Sequence, residues 1–269
     1  MPSLPALKEH LAGLGRVVLG YSGGVDSALL AVAGREVLGR ERLLAAIGRS
    51  ASYPADQWRA AVALAGRFDV PLLELDTHEL EDPRYVANLP DRCYYCKTEL
   101  WDRLGALARA RGFDVVVDGT NADDLAEHRP GLRAAHERGV RSPLAELGWR
   151  KADVRTAARE LSLPVWDAPA APCLSSRIRY GLAVTPERLA QVEAGEGYLR
   201  GLGVGGDLRV RHHGRIARIE VGLEYHARLS DCWDAVRAVF DELGFTDVEL
   251  DPRGYRRGSL LAIAGESGR

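Results

Sequence analysis

The first half of the chain alternates short apolar runs with longer stretches in which apolar residues recur at helical spacing. A short run is typical of a strand buried on both faces, and a longer stretch of an amphipathic helix. The predicted strands are residues 17–19, 43–47, 72–75 and 115–117. The predicted helices are residues 27–38, 54–68 and 98–111. This order predicts an α/β fold, a doubly wound parallel sheet with helices on both faces.

The pattern changes after a Pro- and Ala-rich stretch at residues 164–172. A helix is predicted at 185–199, and a hairpin follows at 208–221. A helix at 225–243 and a short strand at 248–250 complete the series. These elements make a small α+β domain. We therefore predict two domains, residues 1–180 and residues 181–269.

Composition is that of an ordinary globular protein. Of 269 residues, 46% are hydrophobic and 28% are charged, and the formal net charge is −2. We therefore expect no nucleic-acid partner. No apolar run reaches the roughly 18 residues of a membrane span, and the N-terminus lacks the apolar core of a signal peptide. We expect a cytoplasmic protein with no membrane partner, whose four cysteines are free thiols.

Residues 22–27, Ser-Gly-Gly-Val-Asp-Ser, lie between the first predicted strand and the first predicted helix. Glycines allow a tight turn close to an anion, and the helix N-terminus offers unpaired N–H groups. The segment has neither the Gly-Lys-Ser/Thr of a Walker A loop nor the spacing of a dinucleotide turn. We predict that it binds phosphate and name it the phosphate loop. The alternative is an ordinary glycine turn before a helix.

Three of the four cysteines have surroundings that favour chemistry. Cys93 and Cys96 form a C-x-x-C pair before the helix predicted at 98–111, and Lys97 follows them. This spacing lets two thiolates bind one metal, and a nearby lysine favours the thiolate. Cys173 lies in a polar loop at the predicted domain junction, which favours a chemical role. Cys232, on a predicted helix, is typical of a structural cysteine.

The phosphate loop resembles the PP-loop of the ATP pyrophosphatases, which include GMP synthetase, NAD synthetase, asparagine synthetase and the tRNA-thiolating enzymes. The resemblance implies that ATP is cleaved between its α- and β-phosphates and that AMP passes to a substrate oxygen. A Mg²⁺ ion is also implied, and the expulsion of pyrophosphate requires one on physical grounds. The residues implied to bind ATP and Mg²⁺ are Ser22, Gly23, Gly24, Asp26, Ser27 and Ser50.

Further motifs extend the resemblance over nearly the whole chain. They are Asp118-Gly119, Arg129-Pro130-Gly131, the Cys173 loop (residues 172–177), Arg209-Val210-Arg211, Ala217-Arg218-Ile219-Glu220 and Gly254-Tyr255-Arg256. Together they resemble the LarE family, which makes the nickel-pincer nucleotide cofactor of lactate racemase. The resemblance implies that a carboxylate of pyridinium-3,5-biscarboxylic acid mononucleotide is adenylated, and that sulfur then displaces AMP to leave a thiocarboxylate. One departure is Arg179, which stands where the family usually has proline.

The resemblance implies two sources of sulfur. In some members the cysteine that matches Cys173 gives up its own sulfur and becomes dehydroalanine. Other members hold a [4Fe–4S] cluster on three cysteines, and its free iron carries sulfide. With Cys93, Cys96 and Cys173, this chain resembles the cluster-bearing members. The candidate catalytic residues are Cys173, Asp26 and Lys97, and the candidate substrate residues are Arg177, Arg209, Arg211 and Arg256. Glu220 is interpreted as a metal ligand or a charge on the strand surface.

Other functions stay open at this point. An amide synthetase of the NAD or GMP synthetase kind would use ammonia and would leave the C-x-x-C pair unexplained. A tRNA thiolase is closer in chemistry but would normally have a basic RNA-binding surface. A nucleotide sensor with a structural zinc site would release no pyrophosphate. The family resemblance also predicts a homo-oligomer.

Overall fold

The computed structural model describes residues 2–126, 130–169 and 172–256. The chain forms two compact units, Met1–Asp82 with Asp91–Ala171, and Pro83–Pro90 with Pro172–Arg269. We name them the first and the second unit. The short segment Pro83–Pro90 therefore belongs to the second unit, although it lies within the sequence of the first. The sequence pattern did not predict this. Among the described residues, no helix is long and apolar enough to cross a membrane.

The regular elements are numbered in chain order. The strands are β1 Val17–Gly20, β2 Leu43–Arg49, β3 Leu72–Asp76, β4 Val115–Val117, β5 Leu208–His212, β6 Ile216–Val221 and β7 Asp247–Leu250. The helices are α1 Leu4–Ala12, α2 Val25–Arg42, α3 Ala55–Arg67, α4 Pro83–Val86, α5 Arg92–Arg111, α6 Ala122–Leu125, α7 Pro130–Glu137, α8 Pro143–Glu146, α9 Lys151–Glu160, α10 Pro186–Gly201, α11 His226–Asp231 and α12 Trp233–Glu242. Short 3-10 turns occur at Glu79–Glu81, Leu174–Arg177 and Leu223–Tyr225.

The first unit is built on a parallel sheet with the strand order β3-β2-β1-β4. Successive residues of a strand point to opposite faces, so Val17 and Leu19 join one core and Val18 joins another. Buried residues of α1, α2, α3 and α9 line the first core, and buried residues of α5 and α7 line the second. Burial on both faces explains the continuous apolar runs. The predicted doubly wound α/β sheet is confirmed.

The second unit contains a three-stranded sheet with the order β5-β6-β7. β5 and β6 form the predicted antiparallel hairpin, and β7 pairs with β6 in parallel. Buried residues of α10 and α12 complete the core of this sheet. The single helix predicted at 225–243 is wrong. Cys232 has φ −120° and ψ 23°, which are not helical, and it separates α11 from α12.

α5 begins at Arg92 instead of residue 98, so Cys93 and Cys96 lie inside the helix and not in front of it. Asp91 is its N-cap residue, and Gly112 ends the helix with φ +65°, in the left-handed region that suits glycine. The C-x-x-C spacing therefore becomes a pair three residues apart on one helical face.

Candidate active site

The phosphate loop joins β1 to α2 at the carboxyl edge of the parallel sheet. Its turn depends on Gly23, whose φ of +67° lies in the left-handed region. A Cβ at Gly23 would stand 2.4 Å from the Cβ of Ala61 on α3, so the loop and α3 are in close contact. Gly24 is extended and forms the N-cap of α2. The first N–H groups of α2 have no acceptor within the helix and suit an anion.

Hydrogen bonds hold the loop closed around Ser27. The N–H of Ser22 donates to Ser27 Oγ at 3.2 Å, and Ser27 Oγ donates to the carbonyl of Gly24 at 3.1 Å. The hydroxyl of Tyr53 donates to the carbonyl of Ser22 at 2.8 Å. Burial raises the pKa of Tyr53 to about 12, which further disfavours loss of the hydroxyl proton. The cradle is therefore preformed by its own serines and by Tyr53.

Asp26, in the first turn of α2, is held from two sides. Asn121 Nδ2 donates to Asp26 Oδ1 at 3.0 Å, and Lys151 Nζ lies 2.5 Å from Asp26 Oδ2. The Oδ1 atom of Asn121 accepts from the N–H groups of Asp123 and Asp124 at the start of α6. Neither Asn121 nor Lys151 was predicted as a site residue. The sequence did carry one signal, because Lys151 is one of three lysines among 36 basic residues.

The Asp118-Gly119 motif after β4 closes against the phosphate loop. A Cβ at Gly119 would stand 2.9 Å from the backbone nitrogen of Ser27, which leaves room for glycine alone. The buried carboxylate of Asp118 accepts from Thr120 N, Thr120 Oγ1 and Ser142 Oγ at 3.0, 2.8 and 2.7 Å. These bonds fix the turn that leads into α6.

Ser50 follows β2, the neighbour of β1, so it lies at the same edge of the sheet as the phosphate loop. Its Oγ is 2.8 Å from Ser52 Oγ, which donates to the buried carboxylate of Glu79 at 3.0 Å. This position agrees with a role in nucleotide binding, and that role stays a prediction.

Asp26 is the carboxylate of the phosphate loop, and its predicted role as a Mg²⁺ ligand stays a prediction. Mg²⁺ commonly takes one or two carboxylates and completes its shell with water and phosphate oxygens. A single carboxylate beside a phosphate cradle therefore suits it. Each oxygen of Asp26 accepts one hydrogen bond in the structure, which leaves a second lone pair on each for a metal.

The C-x-x-C pair lies in the first two turns of α5. Cys93 is exposed and Cys96 is half-buried. Lys97 packs against α7, because a Cβ at Gly131 would stand 2.9 Å from Lys97 Cγ. The predicted motif at 129–131 therefore neighbours Lys97, although Arg129 itself lies outside the described residues. The catalytic role of Lys97 stays a prediction.

In the second unit, Cys173 directly precedes a 3-10 turn and is half-buried. Its carbonyl accepts from Ser176 Oγ at 2.7 Å and from Arg177 Nη1 at 2.9 Å. The hydroxyl of Tyr85 lies 2.6 Å from Ser175 Oγ. The backbone of the Cys173 loop is thus held in place while the thiol remains partly exposed.

Two of the four arginines predicted to bind substrate are buried in ion pairs. Arg177 is 2% exposed, and its Nε and Nη2 atoms lie 2.9 and 3.1 Å from the two carboxylate oxygens of Glu196. Arg211 lies 2.8 Å from Glu220 and also donates to the carbonyl of Ser176 at 3.1 Å. Both arginines therefore support the Cys173 loop, and their predicted contact with substrate stays a prediction. Glu220 is a buried partner of Arg211, so its interpretation as a strand-surface charge is wrong.

Arg209 and Arg256 have different surroundings: Arg209 is buried, its Nη2 atom lies 4.0 Å from Asp207 and its guanidinium stacks on the ring of Tyr255. Burial, together with the nearby charge of Arg177, lowers the pKa of Arg209. A bound anion would offset this positive surrounding. Arg256 is exposed, and its nearest carboxylate oxygen, on Asp251, is 3.9 Å away.

Known proteins resemble the chain across both units. The family model for NAD synthase matches residues 6–87, which contain the phosphate loop. A pyridinium-3,5-bisthiocarboxylic acid mononucleotide synthase of Lactiplantibacillus plantarum is 38% identical over 257 residues, 94% of this chain and 92% of that protein. The chain belongs to the LarE family. Uncharacterized proteins of Synechocystis sp. and Methanocaldococcus jannaschii are 42% and 31% identical over 97% and 90% of the chain, and over 97% and 91% of their own lengths.

Three cysteines of this LarE-family chain were predicted to hold a [4Fe–4S] cluster. Within the described ranges, no group of three or more His, Cys, Asp or Glu side chains could hold a metal ion. Cys93 and Cys96 belong to the first unit and Cys173 to the second. The predicted [4Fe–4S] cluster is thus without support from the structure. The thiol of Cys232 donates to the carbonyl of Arg228 at 3.3 Å, as a structural cysteine does.

The departure from the LarE pattern at Arg179 has a structural counterpart. The N–H of Arg179 donates to the carbonyl of His212 at 3.1 Å, next to a bridge between Ile178 and His212. Proline has no N–H, so this hydrogen bond requires a different residue at the position.

Proposed function

We propose that this LarE-family chain is an ATP-dependent sulfur transferase that acts on pyridinium-3,5-biscarboxylic acid mononucleotide. A substrate carboxylate is adenylated with release of pyrophosphate, and sulfur then displaces AMP to leave a thiocarboxylate. One observation carries the proposal: the 38% identity to the bisthiocarboxylic acid mononucleotide synthase extends over 94% of the chain and therefore includes both units. The NAD synthase model covers residues 6–87 and supports shared ATP chemistry, without favouring an amide synthetase.

The phosphate loop suits the adenylation step. The first N–H groups of α2 bind phosphate oxygens of ATP, and the serine hydrogen bonds keep the cradle in shape without rearrangement. The substrate carboxylate attacks the α-phosphorus, and the bond to the pyrophosphate oxygen breaks. Mg²⁺ held by Asp26 would neutralise charge on the departing pyrophosphate. Ser50 contacts the nucleotide from the end of β2.

Cys173 is the proposed sulfur donor. Its thiolate attacks the carbonyl carbon of the acyl adenylate, and AMP leaves with the electron pair of the broken C–O bond. Loss of the Cα proton and cleavage of the Cβ–Sγ bond then release the thiocarboxylate and leave dehydroalanine. The hydrogen bonds from Ser176 and Arg177 to the carbonyl of Cys173 keep this residue oriented through the step.

Arginines are proposed to bind the phosphate and carboxylates of the substrate. A guanidinium binds either group with two parallel hydrogen bonds. The exposure of Arg256 supports it as a direct contact, and Arg209 is proposed as a second contact. The buried ion pairs of Arg177 and Arg211 support an indirect role, in which they position the Cys173 loop.

Incubation of the purified protein with ATP, Mg²⁺ and the substrate tests the proposal. We expect pyrophosphate, a product in which sulfur replaces oxygen, and a protein mass lowered by the elements of H₂S. Cys173→Ala should still release pyrophosphate but make no thiocarboxylate, whereas the control Cys232→Ala should do both. An amide formed with added ammonia, or no pyrophosphate at all, would contradict sulfur transfer.

The cluster and the homo-oligomer are finer predictions that the same preparation can test. Anaerobic reconstitution with iron and sulfide should show whether iron binds and whether Cys93→Ala and Cys96→Ala lose it. Suppose that iron is lost in both variants and that the mass of Cys173 is unchanged after turnover. The sulfur source would then be sulfide bound to the cluster, and Cys173 would not be a sacrificial donor. Light scattering gives the oligomeric state.

A further inference from the structure

The carbonyl oxygen of Cys173 has an unusual number of hydrogen-bond donors around it. Among the described residues, three donors lie within hydrogen-bond distance: the N–H of Ser176 at 3.0 Å, Ser176 Oγ at 2.7 Å and Arg177 Nη1 at 2.9 Å. A neutral carbonyl oxygen has two lone pairs. The backbone N–H of Ser176 alone closes the 3-10 turn, so the turn does not need the two side-chain donors. Their convergence on one oxygen points to a chemical role.

The guanidinium of Arg177 is aimed at this oxygen by Glu196. Its Nε and Nη2 atoms lie 2.9 and 3.1 Å from the two carboxylate oxygens of Glu196, which leaves Nη1 to face the Cys173 loop. Nη1 donates to the carbonyls of Pro172 and Cys173 and also to Ser176 Oγ. The last bond polarises the Ser176 hydroxyl and strengthens the hydrogen bond that this hydroxyl donates to Cys173. Because Arg177 is 2% exposed, water screens its charge poorly.

Release of sulfur from Cys173 places negative charge on the same carbonyl oxygen. Once Sγ carries the acyl group as a thioester, the Cα–H bond of Cys173 breaks and the proton passes to solvent water. The electron pair of that bond is delocalised onto the carbonyl oxygen as an enolate. The pair then forms the Cα–Cβ double bond, the Cβ–Sγ bond breaks, and its electrons leave with the thiocarboxylate. A peptide Cα–H is a very weak acid, so the enolate is the species that most needs stabilisation.

We propose that Ser176 and Arg177 form an oxyanion hole for the enolate of Cys173. This proposal rests on the proposed function, with Cys173 as the sulfur donor. The negatively charged oxygen can accept all three hydrogen bonds, and each bond strengthens as the charge develops. The donors are in place before the reaction, so stabilisation requires no rearrangement of the loop. Both side chains therefore act on the elimination step in addition to holding the loop.

Single-turnover reactions of Ser176→Ala with ATP, Mg²⁺ and pyridinium-3,5-biscarboxylic acid mononucleotide test the proposal. Intact-protein mass spectrometry separates the thioester adduct from the dehydroalanine product. Thioester formation involves Sγ and not the carbonyl oxygen, so pyrophosphate release and the rise of the adduct should keep their wild-type rates. Conversion of the adduct to dehydroalanine should slow by about ten-fold or more, because one of three donors is lost. The adduct should therefore accumulate.

Three further variants separate the oxyanion hole from a structural effect. Ser176→Thr keeps the hydroxyl and should convert the adduct at close to the wild-type rate. Arg177→Lys keeps the charge but loses the fork that Glu196 holds, so the adduct should accumulate. Ser175→Ala changes the same loop, but Ser175 Oγ lies 2.6 Å from the hydroxyl of Tyr85, so no adduct should accumulate.

Equal slowing of adduct formation and adduct decay in Ser176→Ala would give Ser176 a structural role and overturn the proposal. An unchanged decay, or equal accumulation of adduct in Ser175→Ala, would also overturn it. A wild type that makes thiocarboxylate without loss of mass at Cys173 would rule out this donor and the oxyanion hole, while sulfur transfer would stand. A wild type that makes no thiocarboxylate would contradict the proposed sulfur transfer itself.

Discussion

The contact of Gly23 with α3 gives a sharp test of how the phosphate loop is built. Gly23 has φ +67°, and its added Cβ would stand 2.4 Å from the Cβ of Ala61. Gly139 has nearly the same φ, +65°, but no atom of the described residues beyond its chain neighbours lies within 4 Å of its added Cβ. Gly23→Ala and Gly139→Ala therefore share backbone strain, and the first adds a collision.

The two costs can be estimated. A left-handed conformation costs an L-residue roughly 1–2 kcal/mol, and the stiffer unfolded chain offsets about 0.4–1 kcal/mol of this. Gly139→Ala should therefore lower the free energy of unfolding by about 1 kcal/mol or less. Overpacking adds about 1–3 kcal/mol, so Gly23→Ala should lower it by about 2–4 kcal/mol. Because the collision moves the loop away from α3, ATP affinity should fall in Gly23→Ala alone.

Urea unfolding and ATP titration of both variants measure these effects. Ala61→Gly removes the atom that the new Cβ meets, so the double variant Gly23→Ala/Ala61→Gly should lose less stability than the sum of the single variants. Equal losses in Gly23→Ala and Gly139→Ala, or strict additivity in the double variant, would refute the close contact between the loop and α3.

Further predictions concern the second unit. Burial lowers the pKa of His212 and of His213 from 6.5 to about 4. Between these pH values the unfolded chain binds protons that the folded chain does not, so the free energy of unfolding should fall as the pH drops, and less so in His212→Gln/His213→Gln. Asn88 is buried at φ +54° and donates to three carbonyls at 3.3, 2.9 and 2.8 Å. In urea unfolding, Asn88→Ala should lower the free energy of unfolding by about 2–4 kcal/mol. Asn88→Gly should lower it by about 0.5–1 kcal/mol less, because glycine accepts this φ. The reverse order would contradict backbone strain at Asn88. Arg177→Met leaves the Glu196 carboxylate without its cation and should lower the free energy of unfolding by about 3–5 kcal/mol. Adding Glu196→Met should recover part of that loss, and simple addition of the two costs would contradict the pair.

The strands of the first unit and the phosphate loop could be predicted because their signals are local. Val17, Val18 and Leu19 form a continuous apolar run because β1 is buried on both faces. The loop is six consecutive residues at a strand-to-helix junction, so its chemistry is visible without a structure. The partner of Asp26 is not visible, because Lys151 is 125 residues away.

Two elements were predicted with wrong boundaries, each for a local reason. The C-x-x-C pair was placed before a helix predicted at 98–111, although Asp91 is an N-cap residue type and α5 begins at Arg92. Apolar spacing continues past Cys232 because α11 and α12 contribute to the same core. Periodicity alone therefore could not reveal the break between them.

The Arg177–Glu196 and Lys151–Asp26 ion pairs differ in exposure. This difference decides which of the two pairs a ligand can separate. The side chains of Arg177 and Glu196 are 2% and 15% exposed, so separating them leaves charge in a poorly solvated interior. The side chains of Lys151 and Asp26 are 40% and 19% exposed, so water can take over for the lost partner. Arriving phosphate and Mg²⁺ can therefore separate the second pair at low cost while the first stays closed. Arg177→Met should then act on stability first, and Lys151→Met on ATP affinity with little change in melting temperature. Equal losses of melting temperature in the two variants would refute this division.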